Sequence, residues 1–487
     1  MSTSVLHKVL ILSIVALGWM PAAVFAEDAA LERASTAMGA GGLKSIRYAG
    51  DGIGYTFGQA YKPGLPWPKI RVHSFVRSVN YETGSMKDEI VLSRAEGLGG
   101  GGYPHVAQQR NEQYVSGAYA WNQTAAGPAP GPRFVADRVH QLWITPQGVI
   151  KAAIRNHATV RQETRNGQSY AAASFGEPGR FTAIVFINAG GLVERVESRI
   201  PDPVLGETDV VTTYSDYRDY GGVKFPTRIA QTQGGFPVLD LTVKEVQPNA
   251  PAEIELPDAV KNATERVTTE KVAEGVWFIA GGSHNSVAIE MRDYMIVVET
   301  PLNDGRSVPV LAQVKQLVPG KPIRYVINSH THFDHSGGLR AAIAEGATII
   351  TQAQNKPYFE RAFAVKNTIN PDQLAKSGKK ANFKVVDEKM VLTDGMRSVE
   401  LYHVADNHHS DTFLMAYLPK ERLLIEADSF TPGPPNAQPP AQLNPLHTNL
   451  VDNLQRLNIP VDKILPLHGR VVAATELYAA VGQSPPK

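Results

Sequence analysis

The sequence predicts an α/β protein made of two folded units in series, an antiparallel β-rich unit followed by an αββα sandwich. Three observations carry this. The chain has 487 residues, more than a single hydrophobic core ordinarily organises. From about Gly42 to Val246, segments alternate apolar and polar residues and are broken by Gly, Pro and Asn-Gly signals, the pattern of half-buried antiparallel strands. After Ala263, short continuous apolar runs alternate with helical segments, as expected of strands covered on both faces.

In chain order, residues 1–26 read as an export signal. Lys8 precedes an apolar run from Val9 to Trp19, then come Pro21 and the small-residue pattern Val24-Phe25-Ala26, with acidic Glu27 and Asp28 beyond. Cleavage is expected after Ala26. The apolar run is shorter than the roughly 20 residues that a spanning helix requires, so a mature chain without a membrane span, periplasmic or secreted, is expected. The absence of cysteine excludes disulfides, thiolate metal ligands, a thiol nucleophile and a lipid-bearing cysteine.

Residues 27–247 form the expected β-rich domain. Arg180 to Asn188 and Val238 to Val246 read as strands, and Tyr217 to Arg228 as a hairpin around Tyr-Gly-Gly-Val-Lys-Phe-Pro. One helix is expected within it, with Thr145 as N-cap, Pro146 in the first turn and apolar residues at helical spacing from Val149 to His157. The histidines of this part, His73, His105, His140 and His157, do not pair at ligand spacing. Residues 248–263, acidic and punctuated by proline, have neither strand nor helix period and read as a linker. Residues 264–487 form the second domain. Met295 to Val298, Tyr325 to Asn328 and Leu423 to Ile425 read as buried strands, and Val308 to Val318 and Leu339 to Ala344 as helices. Lysine and arginine total 48 against 47 acidic residues, without a like-charge block. No footprint for nucleic acid or an anionic membrane results, and a small-molecule substrate is expected.

The strand Arg324 to Ser329 runs directly into His330-Thr-His332-Phe-Asp334-His335, followed by Ser336-Gly337-Gly338 and a helix. Four metal-competent side chains on one strand-to-helix loop converge readily on an ion that imidazole binds at about 2.0–2.1 Å. A chance match of this kind arises in fewer than roughly one such chain in a thousand. Two metal shells require further ligands at later strand ends. His408 and His409 follow Ser398 to Ala405, Asp428 follows Leu423 to Glu426, and His468 follows Lys463 to Leu467. Each alone is weak evidence, because single residues of these types commonly cap or decorate loops.

Together, His330-x-His332-x-Asp334-His335, His409-Ser410, Asp428 and His468-Gly469 resemble the five-part signature of the metallo-β-lactamase superfamily, over roughly Val267 to Ala480. Gly275 to Ile279, Asn285 to Ile289 and Tyr294 to Thr300 are similar to the opening strands of that fold. The resemblance implies two zinc ions, one held by His330, His332 and His409, the other by Asp334, His335 and His468, with Asp428 bridging. It also implies a metal-bridged hydroxide, oriented by Asp334 as the catalytic carboxylate, that cleaves an ester, thioester, lactone or related bond. Two positions depart from the pattern. Glu299 stands where the family usually has Asp, and His408 precedes His409.

Asp428 excludes the β-lactamases that use a cysteine there and leans towards the branch similar to glyoxalase II and lactonases. Phosphodiester or organophosphate hydrolysis and β-lactam hydrolysis are alternatives within the family. A mononuclear iron dioxygenase of the persulfide type and a non-catalytic carrier are alternatives of other classes. The carrier reading draws on a faint likeness of the β-rich domain to periplasmic lipoprotein carriers. Gln352 to Phe363, Pro371 to Lys379 and Pro432 to Pro445 are expected to wall the site, either as stiff surface packing or as a specificity lid. His408, His447 and Phe430, with Tyr358 and Phe359, are candidate substrate contacts.

Overall fold

The computed structural model describes residues 22–96, 107–435 and 442–485. Most of the expected export signal lies outside the described residues; from position 22 the chain is helical, as Ala22–Ala37. No helix among the described residues is long and apolar enough to cross a membrane.

The β-rich part is one 13-stranded antiparallel sheet. Its first strand, Ser45–Tyr55, pairs with Lys69–Asn80 on one side and with Phe236–Pro248 on the other. The beginning and end of the domain therefore meet in mid-sheet, and a meander runs outward from each. The alternation read from the sequence places Ile46, Val79, Phe225 and Leu241 on one face, where three helices cover them. Ala22–Ala37 contributes Leu31 and Ala34, Val135–Trp143 contributes Leu142, and Pro146–Arg155 contributes Val149 and Ile150. The expected hairpin joins Gly206–Tyr220 to Val223–Gln233. Gly221 and Gly222 at its turn have φ of 66° and 90°, the left-handed region that two-residue hairpin turns demand and glycine enters freely.

Two expectations are corrected in this part. Thr145 does occupy the N-cap position of Pro146–Arg155, but its side chain does not cap. Its hydroxyl donates to Leu142 O and meets the Tyr81 hydroxyl at 2.9 Å. The reason is the helix Val135–Trp143, absent from the sequence reading, whose last carbonyls need donors of their own. The stretch read as a linker is also not featureless. Pro248 still belongs to the last strand, and Asp258–Lys261 makes one helical turn.

The C-terminal part consists of two sheets packed face to face between helices, the αββα arrangement. The first runs Thr268–Ala273, Val276–Ala280, Ser286–Glu290, Met295–Val298, Ile323–Ile327, Thr348–Gln352 and Asn382–Val386 in spatial as in chain order. The second runs Lys389–Thr393, Ser398–His403, Leu414–Leu418, Leu423–Glu426, Lys463–Pro466 and Val472–Ala473. Ile296 and Val298 point into the core between the sheets, with Leu401, Leu414 and Ile425. Met295 and Val297 point the other way, to Val310, Leu311 and Leu339 on helices Asp304–Leu317 and Leu339–Glu345. Both faces are buried, which is why these strands read as continuous apolar runs.

The insert Gln352 to Phe363 takes the packing role rather than that of a lid. Tyr358 and Phe359 lie on helix Asn355–Ala364 against the outer core, and Phe359 is fully buried. The loop beyond docks on the β-rich part. Asn367 Nδ2 donates to Asp202 O, and the Glu207 carboxylate accepts from the backbone of Thr368 and Ile369. A Cβ on Gly206 would lie 2.6 Å from Val365 O, so glycine permits this close approach. The insert is a joint between the two sheet systems.

Candidate metal centre

Each predicted ligand sits just past a strand end at one edge of the sandwich. After Ile323–Ile327, Asn328 Nδ2 donates to His330 O at 2.7 Å, and its Oδ1 accepts from Thr351 Oγ1. The Ser336 hydroxyl donates to His332 O at 2.9 Å. Gly337 and Gly338 let this loop seat, since a Cβ on either would come within 1.9 Å of Leu302 O or Ser307 Oγ. Asn407 Oδ1 accepts from the backbone of His409 and Ser410, turning the His409 ring inward. Asn285 Nδ2 donates to Pro466 O and Gly469 O, tying the His468 loop to the one after Val276–Ala280.

The side chains converge in overlapping groups, one of His330, His332 and His409 and another of His330, His335 and Asp428. His332 Nδ1 lies 2.8 Å from His409 Nε2. Asp428 Oδ2 lies 2.8 Å from His335 Nε2, 3.5 Å from His330 Nε2 and 3.6 Å from His409 Nε2, while its Oδ1 is 3.2 Å from His468 Nε2. A single carboxylate thus faces both halves of the cluster. His330, His332 and His335 are buried; the Asp334, Asp428 and His468 side chains retain 27, 19 and 19% exposure and form the mouth.

The outward ring nitrogens decide what the inward ones offer. His332 Nε2 is 3.1 Å from Ala60 O, and His468 Nδ1 is 2.9 Å from Ser283 O. A carbonyl only accepts, so the proton sits on that nitrogen and the opposite one presents a lone pair to the cluster. His335 Nδ1 faces Glu299 Oε2 at 3.5 Å. Lone pairs from His332 and His468 therefore point into the cluster beside the carboxylates of Asp334 and Asp428. His330 Nε2 is buried and has no hydrogen-bond partner. This donor set fits divalent cations, and buried polar atoms without partners are otherwise costly.

Electrostatics agree. Burial, reinforced by His409, pushes His332 down to about 3, so it is neutral and available as a ligand at physiological pH. Burial opposes protonation of His335, but Asp428 and Asp334 outweigh it and hold this imidazole well above its usual range. Burial likewise opposes ionisation of Asp428, yet His335, His409 and His468 keep it well below the usual carboxylate range. A divalent cation bound among these carboxylates would take the place of the His335 proton.

The departure at Glu299 resolves in the structure. Glu299 is fully buried, with its backbone in the left-handed region at φ 65°. Its Oε1 accepts from Ser329 N at 2.6 Å while Oε2 faces His335. It braces the metal loop from behind. Glu299→Gln is expected to weaken metal binding about 10- to 100-fold with the fold retained; chelator competition measures this, and unchanged affinity would leave His335 oriented by other contacts.

The predicted substrate contacts fare differently. His408 is exposed and lines a groove with Asp406, Asn449 and Arg456, apart from the cluster. Phe430 is 2% exposed in the core between the sheets and His447 packs edge-on against it at 5.0 Å, so Phe430 is corrected from a lining residue to a core residue. In the Pro432 to Pro445 segment, residues 436–441 lie outside the described residues.

The structure adds residues that the sequence reading missed. The segment after Ser45–Tyr55 lies over the metal loop. Gln59 Nε2 donates to Asp334 Oδ1 at 2.8 Å, Gly58 O accepts from Phe333 N, and Tyr61 O accepts from Asp411 N. Phe57 and Trp67 pack edge-on against Phe333 at 5.2 and 5.6 Å. His284 Nε2 lies 3.2 Å from Asp334 Oδ2. A histidine next to Asn285 at a strand end was visible in the sequence. Nothing in the sequence marked Gln59.

The family model described as the metallo-beta-lactamase superfamily matches residues 279–468. A curated relative, the alpha subunit of 2,4-dinitroanisole O-demethylase from Nocardioides sp. (strain JS1661), is 34% identical over 71 residues. That match covers 15% of this chain and only 22% of the relative. Among solved structures, a metallo-beta-lactamase from Pontibacter korlensis aligns at 15% identity over 45% of this chain and 98% of its own, with a TM-score of 0.35. The FIM-1 metallo-beta-lactamase from Pseudomonas aeruginosa, in its mono-zinc form, aligns at 18% identity over 45% of this chain and 95% of its own, with a TM-score of 0.34. Rubredoxin oxygen:oxidoreductase from Desulfovibrio gigas aligns at 18% identity over 44% of this chain and 60% of its own, with a TM-score of 0.35.

Proposed function

Residues 279–468 form a metallo-β-lactamase superfamily domain, and from that premise we propose that the chain is a dinuclear zinc hydrolase acting on an ester, thioester, lactone or related bond of a small molecule. The observation that carries the reading is the convergence of His330, His332, His409, Asp428, His335, Asp334 and His468 on one point, with Asp428 facing both halves. When bound, two zinc ions lower the pKa of water towards neutrality and polarise the carbonyl or phosphoryl oxygen under attack.

The chain's own residues supply the rest. His330, His332 and His409 would hold the first ion, and Asp334, His335 and His468 the second. The Asp428 carboxylate lies between the two groups. Asp334, at the mouth, orients the attacking water and accepts its proton; Gln59, which donates to its Oδ1, fixes its plane. The substrate enters past Asp334, Asp428 and His468, the partly exposed side of the cluster. Burial of His330 and His332 excludes water from the far side, which strengthens every charge interaction there. The export signal read in residues 1–26 supports a periplasmic or secreted enzyme.

The test is metal content by elemental mass spectrometry on protein purified without chelator or His-tag. It is followed by a panel of lactones, thioesters, aryl esters, phosphoesters and β-lactams, with 2,4-dinitroanisole added because of the named relative. About two zinc per chain with turnover of a hydrolysable substrate is the expected result. One iron per chain, or none of these metals, sinks it and favours the dioxygenase or the carrier.

A further inference from the structure

His284 lies in the loop between Val276–Ala280 and Ser286–Glu290, and it is 5% exposed. Its surroundings reproduce those of the histidines already assigned. Nδ1 lies 2.8 Å from the hydroxyl of Ser283, which leaves Nε2 directed into the cluster, 3.2 Å from Asp334 Oδ2. Its ring centroid is 4.3 Å from that of His468 and 5.3 Å from that of His335. The backbone is held on both sides. His284 O accepts from Arg306 Nη1 at 3.2 Å, while Asn285 is tied to Pro466 O and Gly469 O. Rigid placement of this kind is what a ligand requires and a surface histidine lacks.

The donor atoms of His284, Asp334, His335 and His468 lie within 4.8 Å of one another. Two ligands placed tetrahedrally at about 2.0–2.1 Å from zinc stand about 3.3 Å apart. The separations here are 3.2 Å for His284 to Asp334, 3.7 Å for His335 to Asp334 and 3.1 Å for His468 to His335. We propose that His284 is a metal ligand, and that the second site is a four-residue set of His284, Asp334, His335 and His468 with the Asp428 carboxylate shared at its edge. This rests on the dinuclear reading above. Its consequence is an asymmetric pair, in which the second ion is closed by protein side chains and the first keeps the position open to substrate.

The test uses the full chain loaded with cobalt(II). Each ligating histidine then gives one hyperfine-shifted, solvent-exchangeable ring N–H resonance in the NMR spectrum. The expected result is six such signals, one of them lost in His284→Gln, together with a second-metal dissociation constant raised more than about 100-fold, beyond what loss of an orienting partner produces. A second variant guards against misfolding of the first. The chain contains no cysteine, so a cobalt–thiolate charge-transfer band in His284→Cys reports coordination from that position alone and supports the proposal. Five signals in the unmodified protein, unchanged in His284→Gln and with no band in His284→Cys, overturn it and leave His284 as a positioning residue on Asp334. Uptake of only one cobalt overturns the dinuclear reading instead, and whether His284→Gln then removes a signal still decides the role of His284.

Discussion

Asp428→Ala protein is expected to retain about one metal per chain where the parent holds two, and to lose hydrolytic activity by more than about a hundredfold. The bound follows from comparison, since outer partners of metal ligands are typically worth 10- to 100-fold and Asp428 stands among the inward nitrogens of His330, His335, His409 and His468. Removing it also leaves His335, which Asp428 and Asp334 hold well above its usual range against the effect of burial, without its nearest counter-charge. Elemental analysis and turnover on the same sample check both parts. If the variant keeps two metals with full activity, Asp428 is not the shared ligand and the cluster must be divided differently.

The second large effect is on stability. Chelation is expected to lower the unfolding temperature of the C-terminal part, because a ligand bound at about a thousand times its dissociation constant stabilises the folded state by about 4 kcal/mol. For a unit of 150–250 residues, 1 kcal/mol moves the midpoint by about 2–4 °C, so a fall of roughly 8–16 °C follows. Acidification acts in the same direction. The inward nitrogens bind metal only as lone pairs and the carboxylates only when ionised, so protons compete for both and metal is released as pH falls. Differential scanning calorimetry with and without chelator, then with zinc restored, is the check; a midpoint indifferent to chelator contradicts a bound metal. Because Gln59, Ala60 and Tyr61 of the β-rich part touch Asp334, His332 and Asp411, the two parts are expected to loosen together.

Much of this was legible in the sequence because it is locally encoded. The strands Met295–Val298 and Leu423–Glu426 read as unbroken apolar runs since both faces are buried. The ligands read as a series because each follows a strand that ends at the same edge of the sandwich. The choice of His409 over His408 followed from register, and the structure places His409 in the cluster and His408 in solvent. The helix Val135–Trp143 has no side-chain cap at its start to mark it, and Phe430 and Phe359, expected as lining, fill cores. An aromatic ring in an insert has the same local signature whether it faces a substrate or a neighbouring helix.

The sequence by itself determined the fold class, the αββα order of elements and the residues that meet at the metal centre, since all of these follow from periodicity and from residue types at strand ends. Only the tertiary structure decided what surrounds them. Gln59 reaches Asp334 across 275 positions, and the Ala60 carbonyl sets the tautomer of His332 across 272. Such contacts leave no period and no spacing in the chain. They arise when two independently patterned sheets pack together, and a backbone carbonyl that orients a ligand has no side-chain identity to betray it.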